Sequence, residues 1–78
     1  MDMFVIFNHE KLEARINEMY GDMVAFGKLL GMTKQRINSR LKSATEFTAA
    51  EIEKAADLLK IPAEEIHIYF FEPKVIRR

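Results

Sequence analysis

The sequence predicts an all-α fold: five helices in one domain over residues 1–78, with short extended or β segments at both ends. Three observations predict it. Apolar residues recur every three or four positions through Leu12–Tyr20, Val24–Leu30, Ile37–Leu41 and Ile52–Leu59, which is the period of a helix. Capping and breaking residues stand where those stretches begin and end. Hydrophobic residues make up 49% of the chain and cysteine is absent, so helix packing or association with another chain, without disulfides or a cysteine-based metal site, must hold it together.

The elements follow in order. Phe4-Val5-Ile6-Phe7 is β-branched and aromatic and reads as a short strand. Asn8 is a cap for a first helix with Leu12, Ile16, Met19 and Tyr20 on its apolar side, ended by Gly21. Asp22 caps a second, short helix over Met23–Leu30, with Val24, Phe26, Leu29 and Leu30 apolar. Gly27 in its middle costs about 1 kcal/mol relative to Ala, and its presence points to the close approach of another helix. Gly31 breaks the chain in a conformation expected to have positive φ. Thr33 then caps a third helix running to about Lys42, with Ile37 and Leu41 inward and Lys34, Gln35, Asn38, Ser39 and Lys42 outward.

The loop Ser43–Phe47 leads with Phe47 turned inward. Thr48-Ala49-Ala50-Glu51 has the form of a capping box, flanked by Phe47 and Ile52 as a hydrophobic staple. The fourth helix carries Ile52, Ala55, Ala56, Leu58 and Leu59 on one face. Ile61-Pro62 ends it, and Pro62 opens a fifth helix through Ile66 to about Tyr69. Phe70-Phe71 and Val75-Ile76, on either side of Pro73, read as an extended tail. The two terminal segments either pair within the chain or serve a partner, and the sequence leaves both open.

Charge gives the functional signal. The chain is neutral overall, with 12 basic and 12 acidic residues. Met23–Thr45 nevertheless contains five basic residues (Lys28, Lys34, Arg36, Arg40, Lys42) and no acidic one. A partner feels this local field and not the sum. The block coincides with two short helices around Gly31, a helix-turn-helix core over residues 23–42. A helix of that kind fits the major groove of duplex DNA. Lys34, Gln35, Asn38 and Ser39 share the face that would meet base edges. Lys28, Thr33, Arg36, Arg40 and Lys42 are assigned to phosphate.

Gly27-Lys28-Leu29-Leu30-Gly31-Met32-Thr33-Lys34-Gln35-Arg36-Ile37-Asn38 resembles the helix-turn-helix core of the lambda-repressor-like (Cro and repressor) superfamily. Its pattern of a small residue, Gly four later, an apolar residue, Ser or Thr, and an apolar residue four further on is met by Gly27, Gly31, Met32, Thr33 and Ile37. Thr48–Leu59, then Lys60–Ile66 and Tyr69–Phe71, is similar to short repressor-like proteins of phages and prophages in low-GC Gram-positive bacteria. Two departures stand out. Gln commonly opens the first motif helix, where Asp22-Met23 stand here, and Gly27 replaces the usual Ala. The resemblance implies a sequence-specific double-stranded DNA-binding transcriptional regulator of phage or prophage type. The departures leave a second reading, an antirepressor or modulator with the same fold that binds a repressor protein.

Other classes find no support. His9 and His67 lie far apart without cysteine or paired carboxylates, and no nucleophile–base arrangement or phosphate-binding glycine loop is present. No enzyme, metal or cofactor is expected. The apolar run Met3–Phe7 is too short for a signal-peptide core, Asp2 stands where a cation belongs, and nothing approaches the ~20 apolar residues of a membrane span. A cytoplasmic protein without a membrane partner is expected. Phe70, Phe71, Val75 and Ile76 form an apolar tail assigned to a homodimer or a repressor contact.

Overall fold

Helix ends direct the path of this chain. The computed structural model describes residues 3–77 and orders them as β1 (Met3–Asn8), α1 (Glu10–Tyr20), α2 (Met23–Leu29), α3 (Lys34–Leu41), α4 (Ala49–Leu58), a 3-10 turn (Ala63–Glu65), α5 (Ile66–Phe70) and β2 (Glu72–Arg77). Asp22 accepts a hydrogen bond from the Val24 amide and caps α2; Thr33 accepts from Arg36 and caps α3. Thr48 and Glu51 form the full capping box of α4. Each cap satisfies amides that a helix start leaves unpaired.

The C-termini of α2, α3 and α4 share one device. After α2, the Met32 amide donates to the Gly27 carbonyl (2.8 Å) and the Gly31 amide to that of Lys28 (3.0 Å). The same pair of bonds ends α3 at Ser43-Ala44 and α4 at Lys60-Ile61. The turning residues Gly31, Ser43 and Lys60 all have positive φ, as this ending requires. Gly31 adopts it at no steric cost. Met32 and Ile61, just beyond two of these turns, are buried, so two of the turns also pin the chain into the core.

That core consists of Leu12 and Ile16 from α1, Phe26 from α2, Met32 from the turn between α2 and α3, Ile37 and Leu41 from α3, Ala55, Ala56 and Leu59 around α4, and Ile61 and Phe70. Phe47, Ile52 and Leu58 pack against it, half-buried. Ile37 and Leu41 face inward as their spacing requires. Gly27 is the seat for Ile37: a methyl group built on Gly27 would lie 3.0 Å from both Cβ and Cγ2 of Ile37.

The ends of the chain meet. β1 and β2 pair antiparallel, with Phe4 opposite Ile76, Val5 opposite Val75 and Phe7 opposite Pro73. The two extended segments therefore pair within one chain. A two-stranded sheet has free edges on both sides, which is where a proline can sit without breaking the ladder.

Four details differ from the sequence reading. Asn8 does accept from the Glu10 amide (2.7 Å), but His9 occupies the cap position of α1. The fifth helix starts as a 3-10 turn. Phe70 belongs to α5 and is 2% exposed, so it is a core residue and no part of a tail available to a partner. Leu29, read as part of the apolar side of α2, is 47% exposed at the end of that helix, because α2 turns its Phe26 and Gly27 toward the core.

Two substitutions test the α2–α3 junction. Gly31→Val places a β-branched residue at φ +77° and should cost about 1–3 kcal/mol. Gly27→Ala drives a methyl group against Ile37, an overpacking cost of roughly 1–3 kcal/mol that the ~1 kcal/mol gained in helix propensity offsets in part, so its net loss should be smaller. In a domain of this size each kcal/mol lowers the melting temperature by roughly 4–8 °C. Calorimetry should record a larger loss for Gly31→Val than for Gly27→Ala; a Gly27→Ala variant stabilised by the full ~1 kcal/mol of helix propensity would mean that the helices do not press together there.

Candidate functional site

The surface built by α2 and α3 carries the residues singled out from the sequence. Lys28 is exposed on α2, and Thr33, Lys34, Gln35, Arg36, Asn38 and Lys42 are exposed on and around α3. α3 divides them between two flanks. Lys34, Gln35 and Asn38 border a cleft of about 460 Å³ whose floor is Met23, Val24, Ile37 and Leu41. Thr33, Arg36 and the half-buried Ser39 border a shallower depression of about 210 Å³ on the other flank, together with Arg40 and Thr45. Gln35 reaches both. Ser39 therefore sits apart from Lys34 and Asn38, with which the sequence grouped it.

Arg40, which the sequence assigns to phosphate, is only 8% exposed. Its Nε donates to Glu51 Oε1 (3.0 Å), its Nη2 to Glu51 Oε2 (3.3 Å), and its Nη1 to the Thr45 hydroxyl. This two-pronged pairing spends the guanidinium inside the domain. The sequence held a signal for it: Arg40 lies three residues after Ile37 and next to Leu41, on the edge of the inward face. Glu51 also accepts from the Thr48 amide (2.9 Å), and Arg36 approaches it at 4.0 Å from an exposed position. Burial alone would raise the Glu51 pKa, but the bonds from Arg40 and Thr48 and the charges of Arg40 and Arg36 outweigh it, so the carboxyl is held below its ordinary value.

His9 carries structure. It is buried, with Nδ1 at 3.3 Å from the Leu41 carbonyl and 3.2 Å from the Ser43 hydroxyl. The Ser43 hydroxyl donates to the Phe7 carbonyl (2.6 Å), so its oxygen is free to accept. A carbonyl can only accept, which places the proton on Nδ1. Burial lowers the His9 pKa, against the opposing effects of the Leu41 carbonyl, the Glu13 charge and the Phe70 backbone. Around it, Phe47 stacks edge-on to both His9 and Phe70, and Phe7 stacks edge-on to Phe71. Phe7 and Phe71 remain 37% and 44% exposed. Of the residues assigned to a partner, Phe71 is at the surface, Phe70 is in the core, and Val75 and Ile76 are in β2.

This is a mostly helical domain with terminal strands and an acid-free α2–α3 surface. Residues 5–73 match the model of a family described as a protein of unknown function, DUF739, and the chain belongs to that family. Among solved structures it is similar to the solution structure of the modulator of repression (MOR) of the temperate bacteriophage TP901-1 from Lactococcus lactis. The two share 25% identity with a TM-score of 0.73, over 83% of this chain and 88% of that one. No curated protein matches. Among the described residues, no helix is long and apolar enough to cross a membrane.

The Arg40–Glu51 pair makes a stability prediction. Removing one partner leaves the other charge buried, so Glu51→Ala should cost roughly 3–5 kcal/mol. Arg36→Ala, which removes an exposed and distant charge, should cost ~1 kcal/mol or less. Chemical denaturation of the two variants compares them directly.

Acid should destabilise the domain in two stages. His9 folds neutral but charges in the unfolded chain near 6.5, so its contribution begins to be lost as pH falls below that value. Glu51 folds ionised, so its contribution holds above its ordinary 4.5 and is lost as pH falls through its lower folded value. Denaturant midpoints measured across this range should fall in both windows, and His9→Gln should abolish only the first fall.

Proposed function

We propose that this chain is a phage or prophage regulator that acts by binding a repressor protein, as a modulator of repression. The observation that carries this reading is the similarity, across most of both chains, to a phage protein named as a modulator of repression. Two features of the α2–α3 surface favour it over DNA readout. Arg40, a cation that the expected DNA contact required, is held by Glu51 and Thr45. Asp22 places a carboxylate at the start of α2, where a backbone phosphate would lie in the repressor-like arrangement. The resemblance of Gly27–Ile37 to the lambda-repressor-like core is consistent with a regulator that kept the fold while its target changed. The role is binding alone, with no catalysis and no cofactor.

DNA recognition is the second reading, favoured by one observation. Lys28, Lys34, Arg36 and Lys42 remain exposed in a stretch without acid. With Lys28, Arg36 and Lys42 on phosphates, log K should fall against log salt with a slope of about −3. Lys34, Gln35 and Asn38 would then be the base contacts.

A paired titration separates the readings. Purified chain is titrated against the repressor encoded in the same phage or prophage genome, and against that repressor's operator duplex at low salt. The expected outcome is a stoichiometric complex with the repressor and no measurable duplex binding. Salt-dependent duplex binding without repressor binding would reject the modulator reading.

A further inference from the structure

The cleft between α2 and α3 is built unlike a surface for phosphates alone. Its floor is apolar: Met23 and Val24 are half-buried on the α2 side, and Ile37 and Leu41 close it from α3. Its rim is polar and cationic, with Lys34, Gln35 and Asn38 exposed along it. Lys28 and Lys42 add charge at the ends of the two helices, and no acidic residue lies between Met23 and Thr45. Glu51, which meets α3 through Arg40, is paired with that guanidinium. Asp22 uses its carboxylate on the Val24 amide.

An occupant must meet both demands, an apolar group for the floor and negative charge for the rim. Duplex DNA supplies the charge, but only the thymine methyl offers it anything apolar in the major groove. A helix with large apolar side chains on one stripe and carboxylates beside them supplies both, and a hydrophobic groove is a known receptor for such a helix. We infer that the Met23–Val24–Ile37–Leu41 cleft is the docking groove for an acidic amphipathic helix of the repressor. This inference rests on the modulator reading and names the chemistry of its contact. The apolar anchors supply the area, and Lys34 with its neighbours orients the helix and speeds its encounter through the field.

The test uses the full chain, the purified repressor from the same genome, and calorimetric titration. Val24→Asp puts a carboxylate on the floor, and Lys34→Glu reverses a charge on the exposed rim without touching the core. Each should weaken repressor binding roughly tenfold or more, and Lys34→Glu should also flatten the salt dependence. Lys34→Arg should bind like the original chain. Glu53→Lys, on the exposed side of α4, should also bind like the original chain. Circular dichroism checks folding; if Val24→Asp does not fold, the Lys34 pair of variants decides alone. Repressor binding that is intact in both Val24→Asp and Lys34→Glu overturns the groove and leaves the modulator reading standing. Absence of repressor binding by the unaltered chain overturns both. Duplex binding that these substitutions abolish overturns the groove in favour of DNA.

Discussion

Ile37 rests against the bare Cα of Gly27, and much of this domain follows from that contact. A methyl group there would come within 3.0 Å of the Ile37 side chain, so α2 and α3 reach this distance only because residue 27 has none. Once Ile37 is seated, Leu41 falls into the core one turn later. The junction needs only four residues, Leu30–Thr33, since Gly31 reverses the chain, Met32 plugs the core and Thr33 starts α3. The outer side of the same junction is the cleft floored by Met23 and Val24. A packing contact on the inside thus shapes the candidate binding groove on the outside.

Glu51 ties the second half of the domain to the first. It completes the capping box of α4 and takes both prongs of Arg40 from α3. One carboxylate thereby fixes where α4 begins and how it meets α3. Desolvating such a pair is costly, and the return in net stability is small. What the pair does decide is registry, and it also removes one cation from the surface that was expected to meet DNA. The functional reading shifts with it, because the field over α3 now comes from the exposed Lys28, Lys34, Arg36 and Lys42.

The terminal strands close the remaining side. β1 and β2 pair along their length, and His9, just after β1, bonds to the end of α3 through Leu41 and Ser43. Ser43 holds positive φ and donates to the Phe7 carbonyl, so the turn that ends α3 also anchors β1. Phe47 and Phe70 pack edge-on beneath. A histidine in this position ties the chain ends to the helical core and makes the tie sensitive to acid.

Local chemistry was legible in the sequence. Caps at Asp22, Thr33 and Thr48, the turn at Gly31 and the inward pair Ile37 and Leu41 all depend on residues within one or two helical turns of each other, and the glycine at position 27 signalled a close approach without naming Ile37, ten residues on, as the partner. The sequence alone therefore determined five helices, their order and the basic surface of α2–α3. Only the tertiary structure decided what depends on contacts distant in the chain. Arg40 meets Glu51 eleven residues on, His9 meets Leu41 thirty-two residues on, and the two end strands find each other across the whole domain. It also put Phe70 in the core and left Phe71 outside, although the two are adjacent and chemically identical. The physical reason is that a side chain's periodicity specifies its face, whereas its burial and its charge partner depend on which other element packs against that face.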